Sequence, residues 1–446
     1  MSAYKTYPKT KDSGVEWLGD VPCGWDVKPL KVVASFNDDV LAENFGEDQE
    51  IEYVDIGSVS LETGIESTET FRFGDAPSRA RRKVRDGDVI ASTVRTYLKA
   101  IAPIVAPPSN LIVSTGFAVI RPRDGLNSHF AKFSLQSNYF VDEVISRSTG
   151  VSYPAINASE MATISLTLPP LPEQRQIAAF LDRECGKLDA LQAKQQRLIE
   201  LLTEKRQALI SHAVTRGLDP AAPLQPSGIE WLGDVPAHWV CSKVKWVSKC
   251  VKTGGTPTDP ASFTDDPEVP WLTPGDFTDN YLIISPKKFI TKTALAARDA
   301  PHFHPSAIFV VGIGATLGKV ARLANSRSAS ANQQINAIIP TSRIDSSYLL
   351  LSLVGQGEQM KTFSNASTLG IMNQEKTKAI HLVLPPLAEQ RAIVAHLDEK
   401  CGKIDRLKAK AERAIELLKE RRSALISAAV TGKIDVRQVI KHIEPV

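Results

Sequence analysis

A cluster of basic residues is the first feature of this chain that could do chemistry. Residues 79–85 read Arg-Ala-Arg-Arg-Lys-Val-Arg, which places five basic side chains in seven positions. Shortly afterwards, basic and aromatic residues alternate over 95–99, which would put them on one face if this segment is a strand. Such a surface suits contacts to the phosphates and base edges of a nucleic acid, and the alternative is an ordinary solvated charge run. The candidate contact residues are Arg79, Arg81, Arg82, Lys83, Arg85, Arg95, Tyr97 and Lys99.

A Gly-rich segment and a run of amides form a second candidate group. Residues 252–257 read Lys-Thr-Gly-Gly-Thr-Pro, a predicted polar loop whose glycines would let the backbone approach a ligand closely. Residues 332–334 read Asn-Gln-Gln, and such amides can bind adenine through two hydrogen bonds. The alternative for the amides is a polar turn. The candidates are Lys252, Thr253, Gly254, Gly255, Thr256, Asn332, Gln333 and Gln334.

Residues 312–319, Gly-Ile-Gly-Ala-Thr-Leu-Gly-Lys, resemble a nucleotide-binding loop but lack its required residues. A P-loop needs glycine where Ile313 stands and serine or threonine where Val320 stands. The dinucleotide fingerprint needs its third glycine where Leu317 stands. We therefore expect the chain to bind neither ATP nor a nicotinamide cofactor, and we keep Lys319 as a candidate nucleic-acid contact.

The sequence also carries no recognisable metal or catalytic signature. Its five cysteines are scattered without a Cys-x-x-Cys pair, and its eight histidines include no His-Glu-x-x-His. The adenine-methyltransferase tetrapeptide Asn/Asp-Pro-Pro-Tyr does not occur. We therefore expect no metal site, and none of these motifs points to a catalytic residue.

Two long helices are predicted to position these segments. Residues 173–213 contain no proline and a single glycine, and apolar residues recur there at heptad spacing; residues 389–430 repeat the pattern. About 40 residues of helix span roughly 60 Å. The pattern favours an antiparallel coiled coil, and the alternative is that each helix packs on its own domain. The predicted packing residues are Ile177, Leu181, Leu188, Leu191, Leu198, Leu202, Leu209, Ile393, Leu397, Ile404, Leu407, Leu418 and Leu425.

The chain is an internal duplication. Residues 13–22, Ser-Gly-Val-Glu-Trp-Leu-Gly-Asp-Val-Pro, recur almost unchanged at 227–236. The block Pro-Pro-Leu-Pro-Glu-Gln-Arg at 169–175 recurs as Pro-Pro-Leu-Ala-Glu-Gln-Arg at 385–391, and the match continues for about 45 residues. The regions between these blocks, about 26–168 and 240–384, show no comparable identity. Two similar frames therefore carry two different inserts, which suggests different specificities on a common scaffold.

Both inserts are predicted to be mixed α/β with short strands. The strand candidates are 51–56, 88–94, 116–121, 307–312, 319–323 and 335–340. The chain has 446 residues and a net charge of +3, an ordinary globular composition with no apolar run long enough to span a membrane. With no secretory signal visible, we expect a cytoplasmic location.

These repeated blocks resemble the specificity (S) subunit of type I restriction-modification systems. The segment Ser-Gly-(Val or Ile)-Glu-Trp-Leu-Gly-Asp-Val-Pro and the block Leu-Pro-Pro-Leu-x-Glu-Gln-Arg, each present twice, carry the resemblance. Weaker support comes from Ser-Thr-Gly-Phe at 114–117 and from the motifs at 254–257, 271–274, 312–319 and 332–334.

The resemblance implies a fold and a function. The fold would comprise two mixed α/β target-recognition domains separated by two long antiparallel coiled-coil helices with pseudo-twofold symmetry. The expected domains are an N-terminal recognition domain (1–168), a central helix (169–216), a C-terminal recognition domain (217–384) and a C-terminal helix with a tail (385–446). Each recognition domain would read one half of a bipartite, asymmetric site in double-stranded DNA.

The resemblance also implies partners. The helices would dock two methyltransferase (modification) subunits, which bind S-adenosylmethionine and methylate adenine, and restriction subunits, which use ATP and Mg2+. This chain would then bind no cofactor and catalyse no reaction. Two other functions stay open at this point, a fused methyltransferase or nuclease and a coiled-coil adaptor that does not bind DNA.

Overall fold

The computed structural model describes residues 4–42, 44–278, 281–325, 327–364 and 370–437. The chain forms two compact units, each of which combines one insert with parts of both long helices. Unit 1 comprises Met1–Gln196 and Arg413–Val446, and unit 2 comprises Arg197–Glu412. None of the helices in the described part of the chain is both long enough and apolar enough to cross a membrane.

Unit 1 contains two four-stranded sheets. The first is antiparallel and has the order Ile101–Pro103, Val89–Ser92, Phe117–Pro122, Ala34–Phe36. The second has the order Glu69–Arg72, Glu50–Val54, Leu111–Ser114, Ala80–Lys83, and its middle pair is parallel. Two-stranded pairs join Thr10–Asp12 to Asp20–Pro22, Asp26–Pro29 to Ser165–Leu168, and Val59–Ser60 to Gly64–Ile65. The short helices are Leu30–Val33, Ile56–Ser58, Phe73–Asp75, Thr96–Leu98, Ser128–Gln136, Asn138–Ser146 and Ala158–Met161.

Unit 2 contains a five-stranded and a four-stranded sheet. The first has the order Leu282–Ile283, Val320–Leu323, Ile308–Val311, Ile335–Pro340, Ser248–Thr253. The second has the order Phe263–Thr264, Phe289–Ile290, Val269–Leu272, Ser330–Ala331, and its last pair is parallel. Two-stranded pairs join Leu224–Pro226 to Asp234–Pro236 and Val240–Lys243 to His381–Leu384. The short helices are Val244–Val247, Pro260–Ser262, Pro274–Asp276, Lys292–Ala296, Ser346–Val354, Gly357–Ser364 and Gln374–Ala379.

The two inserts have the same fold although their sequences are not alike. In each unit the first of the two sheets contains four strands in one order, with Val89–Ser92 matching Ile308–Val311 and Phe117–Pro122 matching Ile335–Pro340. Each second sheet contains one parallel pair in the corresponding place. All six predicted strand segments coincide with observed strands to within two residues at their ends.

Two helices, Leu171–Arg216 (the central helix) and Leu387–Val430 (the C-terminal helix), carry the repeated frame. In unit 1 the start of the central helix and the end of the C-terminal helix share one apolar core, for example Phe180 with Ile426. In unit 2 the end of the central helix and the start of the C-terminal helix share a core, for example Ile210 with Leu397. The two helices are therefore antiparallel within each unit. The predicted fold class, mixed α/β with an internal duplication and two long antiparallel helices, is confirmed.

Equivalent ion pairs link the two helices in both units. The Arg422 Nε lies 3.1 Å from an Asp189 carboxylate oxygen in unit 1. The Arg206 Nε lies 2.9 Å from an Asp405 carboxylate oxygen in unit 2. The repeated frame thus produces the same helix–helix contact twice.

The repeated Glu-Gln-Arg block has a structural explanation. The Gln174 side chain is buried; its oxygen accepts from the backbone N–H of Asn127 at 2.8 Å and its amide donates to the carbonyl of Pro169. Gln390 accepts from the backbone N–H of Asp345 at 2.8 Å and donates to the carbonyl of Pro385. Each glutamine therefore ties the start of a long helix to the start of a short helix in its insert.

The predicted heptad pattern requires a correction at three positions. Most of the predicted packing residues are buried or half-buried, but Leu191, Leu198 and Leu407 are exposed. They belong to the row that begins at Ile177 and Ile393, which are buried in the insert cores. A straight helix drifts by about 20° per heptad, so this row turns away from the buried face after two or three heptads.

Candidate nucleic-acid interface

The basic cluster of unit 1 lies on and beside an edge strand. Residues Ala80–Lys83 form this strand, which pairs with Leu111–Ser114. Arg79, Lys83 and Arg85 are exposed, whereas the other two arginines are half-buried. The cluster is therefore not one uniform charged surface.

The arginines of the cluster differ in their partners. The Arg81 guanidinium lies 4.7 Å from the centre of the Phe73 ring. Arg82 has a buried Nε atom without a hydrogen-bond partner among the described residues, and burial lowers the pKa of its guanidinium. Arg85 pairs with Asp39 at 2.8 Å. Among the described residues, Arg79 and Lys83 make no ion pair, which leaves their charges for an external partner.

A half-buried arginine holds the acidic partner of Arg85 in place. Arg121 donates two hydrogen bonds of 2.8 Å to Asp88 and one of 2.6 Å to Asp39. These contacts raise the pKa of Arg121 and, through the Arg121 hydrogen bond, lower the pKa of Asp39. Asp39 therefore stays ionised and offsets the charge of Arg85.

The prediction that Arg95, Tyr97 and Lys99 lie on a strand is wrong. The strand ends at Ser92, and residues Thr96–Leu98 form a single helical turn. Arg95 and Lys99 flank this turn, each with a φ angle of 52°. The buried Thr96 hydroxyl donates to the Ser148 hydroxyl at 2.8 Å, which fixes the turn from inside. All three predicted side chains are nevertheless exposed.

The structure brings the two basic segments of unit 1 together. The turn at residues 114–116 is hydrogen-bonded to both segments. The Thr115 N–H donates to the Arg79 carbonyl at 2.8 Å, and the Gly116 carbonyl accepts from the Thr93 N–H at 2.8 Å. Arg79 and the 95–99 turn therefore flank the Ser-Thr-Gly-Phe motif.

In unit 2 the Gly-rich segment serves the protein's own packing. Lys252 and Thr253 belong to the strand Ser248–Thr253, and the Thr253 hydroxyl donates to Asn336 at 2.8 Å. A Cβ atom on Gly254 would lie 2.1 Å from the carbonyl oxygen of Asn332. The Gly255 N–H donates to the carbonyl of Ala331. Neighbouring backbone therefore occupies the space beside Gly254, which explains this glycine without a ligand, and contact of the segment with DNA stays a prediction.

The amide run is only partly available to a ligand. Asn332 is buried, and its amide donates to the Gln334 oxygen at 3.0 Å, so its side chain is engaged within the turn and adenine contact by Asn332 stays a prediction. Gln334 is half-buried. Gln333 is exposed, and its oxygen accepts from the exposed Thr256 hydroxyl at 2.5 Å. Gln333 and Thr256 are thus the accessible pair, and Lys252 is exposed on its strand.

Lys319 lines a cleft of about 730 Å³ in unit 2, between the 312–319 turn and the two long helices. Arg206, Asp405 and Tyr281 line the same cleft. The Arg206 guanidinium lies 4.4 Å from the centre of the Tyr281 ring, and burial raises the pKa of that tyrosine to about 12. Across the described ranges, no group of three or more His, Cys, Asp or Glu side chains is placed to hold a metal ion.

The candidate segments of the two units occupy equivalent positions. The Thr93 N–H donates to Gly116 in unit 1, and the Gly312 N–H donates to Gln334 in unit 2. The turns at 114–116 and 332–334 therefore correspond, as do the turns at 93–99 and 312–319. Isolated bridges then join Val94 to Ala155 and Ile313 to Ile371.

Sequence reasoning did not identify the segments on the far side of these bridges. In unit 1 the loop at 148–156 exposes Val151 and Tyr153, and the Tyr153 ring lies against Arg95. The available signal was a pair of apolar residues between Gly150 and Pro154, in a segment with turn composition.

One fold used twice, with different side chains on equivalent turns, is the organisation of a two-part recognition protein. The profile of the type I restriction modification DNA specificity domain matches residues 24–201 and 236–417. The chain therefore belongs to this family, the specificity subunits of type I restriction-modification systems.

Known relatives agree with this family. The chain is 20% identical over 436 residues to a putative type I restriction enzyme MjaX specificity subunit from Methanocaldococcus jannaschii, covering 94% of this chain and 96% of the relative. It is 21% identical over 323 residues to the type I restriction enzyme StySPI specificity subunit from Salmonella potsdam, covering 71% and 67%. A solved structure from work on complex assembly and conformational transition of the type I R-M system has the same fold, with a TM-score of 0.70, 23% identity, and coverage of 92% and 98%.

Proposed function

We propose that this chain reads a bipartite, asymmetric site in double-stranded DNA, one half through each insert. The observation that carries the proposal is the combination of one fold with two sets of contact residues. The equivalent turns carry Ser-Thr-Gly in unit 1 and Asn-Gln-Gln in unit 2. Because the scaffolds match and the accessible side chains differ, the two inserts suit two different base sequences.

We assign the DNA contacts to those candidate side chains that are exposed. Arg79, Lys83 and Lys99 in unit 1 and Lys252 in unit 2 are exposed cations suited to phosphate, and the exposed Arg95 suits either a phosphate or a base edge. Gln333 with Thr256 is suited to a base edge. Asp39 partly neutralises Arg85, and we assign Arg81 and Arg82 a supporting role.

We further propose that the long helices dock two methyltransferase subunits and, through the complex, restriction subunits. Both helices expose leucines, among them Leu191, Leu198, Leu407 and Leu417, which supports a role in subunit contact. S-adenosylmethionine, ATP and Mg2+ would bind the partner subunits, and this chain would hold no catalytic residue. The functional modules in this proposal are residues 1–168, 169–216, 217–384 and 385–446.

The test is an exchange of inserts in cells that carry the modification subunits. Residues 240–384 are replaced by the insert of another family member, and methylated adenines are mapped across the genome. We expect one half of the methylated motif to change and the other to stay. A motif that changes in both halves, or in neither, contradicts the proposal.

Two further measurements separate the other functions left open by the sequence. Binding of S-adenosylmethionine by the isolated chain would point to a fused methyltransferase. Equal affinity for all DNA sequences in the complete complex would point to an adaptor.

A further inference from the structure

Two loops at one end of the antiparallel sheet of unit 1 form a single structure, here called the tip (residues 93–99 and 148–156). Backbone bridges join Val94 to Ala155 and Thr149 to Ala155. The Ile156 N–H donates to the Thr93 carbonyl at 2.9 Å, and the Thr96 and Ser148 hydroxyls are hydrogen-bonded. These contacts hold both loops in one fixed arrangement.

The tip exposes an unusual amount of apolar surface. Val151 is fully exposed at 103%, and Tyr153, Tyr97 and Leu98 are 65%, 53% and 43% exposed. Single exposed apolar residues are normal, but a group of four on two adjoining loops marks an interaction surface.

The backbone of the tip is held in an unfavourable conformation. Arg95 and Lys99 both adopt left-handed φ angles of 52°, which side chains with a Cβ atom rarely accept. Such conformations concentrate at functional sites. The result here is that the Arg95 guanidinium lies 5.2 Å from the centre of the Tyr153 ring, beside the apolar group.

The charge of the tip indicates a polyanionic partner. The two loops contain Arg95 and Lys99 and no acidic residue, although acidic residues outnumber basic ones in the insert as a whole. The tip also adjoins Arg79 through the 114–116 turn. Duplex DNA fits this combination, because the exposed cations can contact phosphate around an apolar centre.

The chemistry of the tip restricts which base edges it can read. The two loops contain no Asn, Gln, Asp or Glu, so the paired contacts that select adenine or cytosine are not available there. Apolar side chains contact the thymine methyl group, and arginine contacts guanine.

We propose that the tip is the base-contacting element of unit 1, with Val151 and Tyr153 packed against a thymine methyl group and Arg95 beside them on a base edge. This inference rests on the proposed function and assigns a reading chemistry to one half of the site. In unit 2 the corresponding turn, residues 312–319, exposes Ile313 next to Ile371 and carries one charged residue, Lys319, so the two halves present different side chains.

The test uses the complex with its modification subunits, after the motif and the half read by unit 1 are known from the insert exchange. Val151→Ser with Tyr153→Ala is compared with Val105→Ser, which alters an exposed valine beyond the far end of the strand Ile101–Pro103. We expect the double variant to lose affinity for the cognate duplex by roughly tenfold, as for one lost base contact. Its affinity for unrelated DNA, its salt dependence and its melting temperature should stay unchanged, and Val105→Ser should behave as wild type.

A second experiment removes the methyl group from the DNA. Uracil replaces each thymine of that half-site in turn, and at one position the wild-type complex should lose affinity several-fold while the double variant shows no further loss. The proposal is overturned by a half-site without thymine, by an unchanged cognate affinity in the variant, or by an equal loss on cognate and unrelated DNA. Loss of the modification subunits from the variant complex would instead make the tip a protein-docking surface. If the wild-type complex itself shows no sequence preference, the proposed function fails rather than this assignment alone.

Discussion

The value of a basic side chain for DNA binding depends on what already surrounds it. Arg82 is half-buried, and Arg85 has an acidic partner. Arg79 is exposed at the point where the basic strand meets the 114–116 turn. A phosphate contact by this residue would release a counterion, and that release appears in the salt dependence of binding.

We therefore predict that Arg79→Gln reduces the slope of log K against log salt by about one unit, without loss of folding. Arg72→Gln is the matched control, because Arg72 is an exposed arginine on the opposite edge strand of the same sheet. Affinity for one duplex is measured over a series of salt concentrations. Equal slopes for the two variants would show that Arg79 is an ordinary solvated charge that does not contact phosphate.

At the level of residues, the sequence does not report which side chains of the candidate segments are accessible. The 114–116 and 332–334 turns correspond, yet Asn332 is buried. Position 254 needs glycine because a Cβ atom there would clash with the carbonyl oxygen of Asn332. Burial and close backbone approach depend on contacts between distant segments, so spacing in one sequence does not report them. Val151 and Tyr153 were overlooked because neither belongs to a known motif.

At the level of elements, the two helices and all six predicted strand segments were accessible from local pattern. The common fold of the inserts was not, because many combinations of apolar residues fill the same core. The heptad pattern also overestimated helix packing at Leu191 and Leu407, where the drift of a straight helix turns the side chain to solvent.

The equivalent ion pairs between the helices allow a matched comparison of the two units. Arg206 has Tyr281 as a second partner through its ring and hydroxyl, whereas Arg422 has no aromatic partner among the described residues. We predict that Arg206→Ala destabilises unit 2 by about 2 kcal/mol and that Arg422→Ala destabilises unit 1 by about 1 kcal/mol or less, since both aspartates are partly exposed.

Hydrogen exchange resolved by residue gives the stability of each unit in the full chain. Protected amides near Tyr281 and Asp405 should lose protection from exchange in Arg206→Ala. The loss of protection near Asp189 should be smaller in Arg422→Ala. Equal losses would show that the contact with Tyr281 adds nothing to the ion pair.

At the level of the whole molecule, each unit is completed by segments that are far apart in sequence. Unit 1 needs the end of the C-terminal helix, and unit 2 needs the start of that helix together with the end of the central helix. An insert is therefore best exchanged within its frame, with the helices left in place, which is the design of the insert-exchange test.

The helix lengths supply the last prediction, which concerns the spacing of the two half-sites. Gln195 and Ala411 lie next to the limits of the two units, which fall at Gln196 and Glu412. Inserting four residues after each adds about 6 Å of helix, and the added turn of roughly 400° keeps the buried faces nearly in register. We expect both half-sites to survive and the unread spacer to lengthen by one or two base pairs, since one base pair rises about 3.4 Å. A two-residue insertion is the control, because its rotation of about 200° would expose Leu202 and disrupt assembly. Mapping of methylated adenines decides the outcome, and an unchanged spacer with full activity in the four-residue variant would show that the helices do not set the spacing.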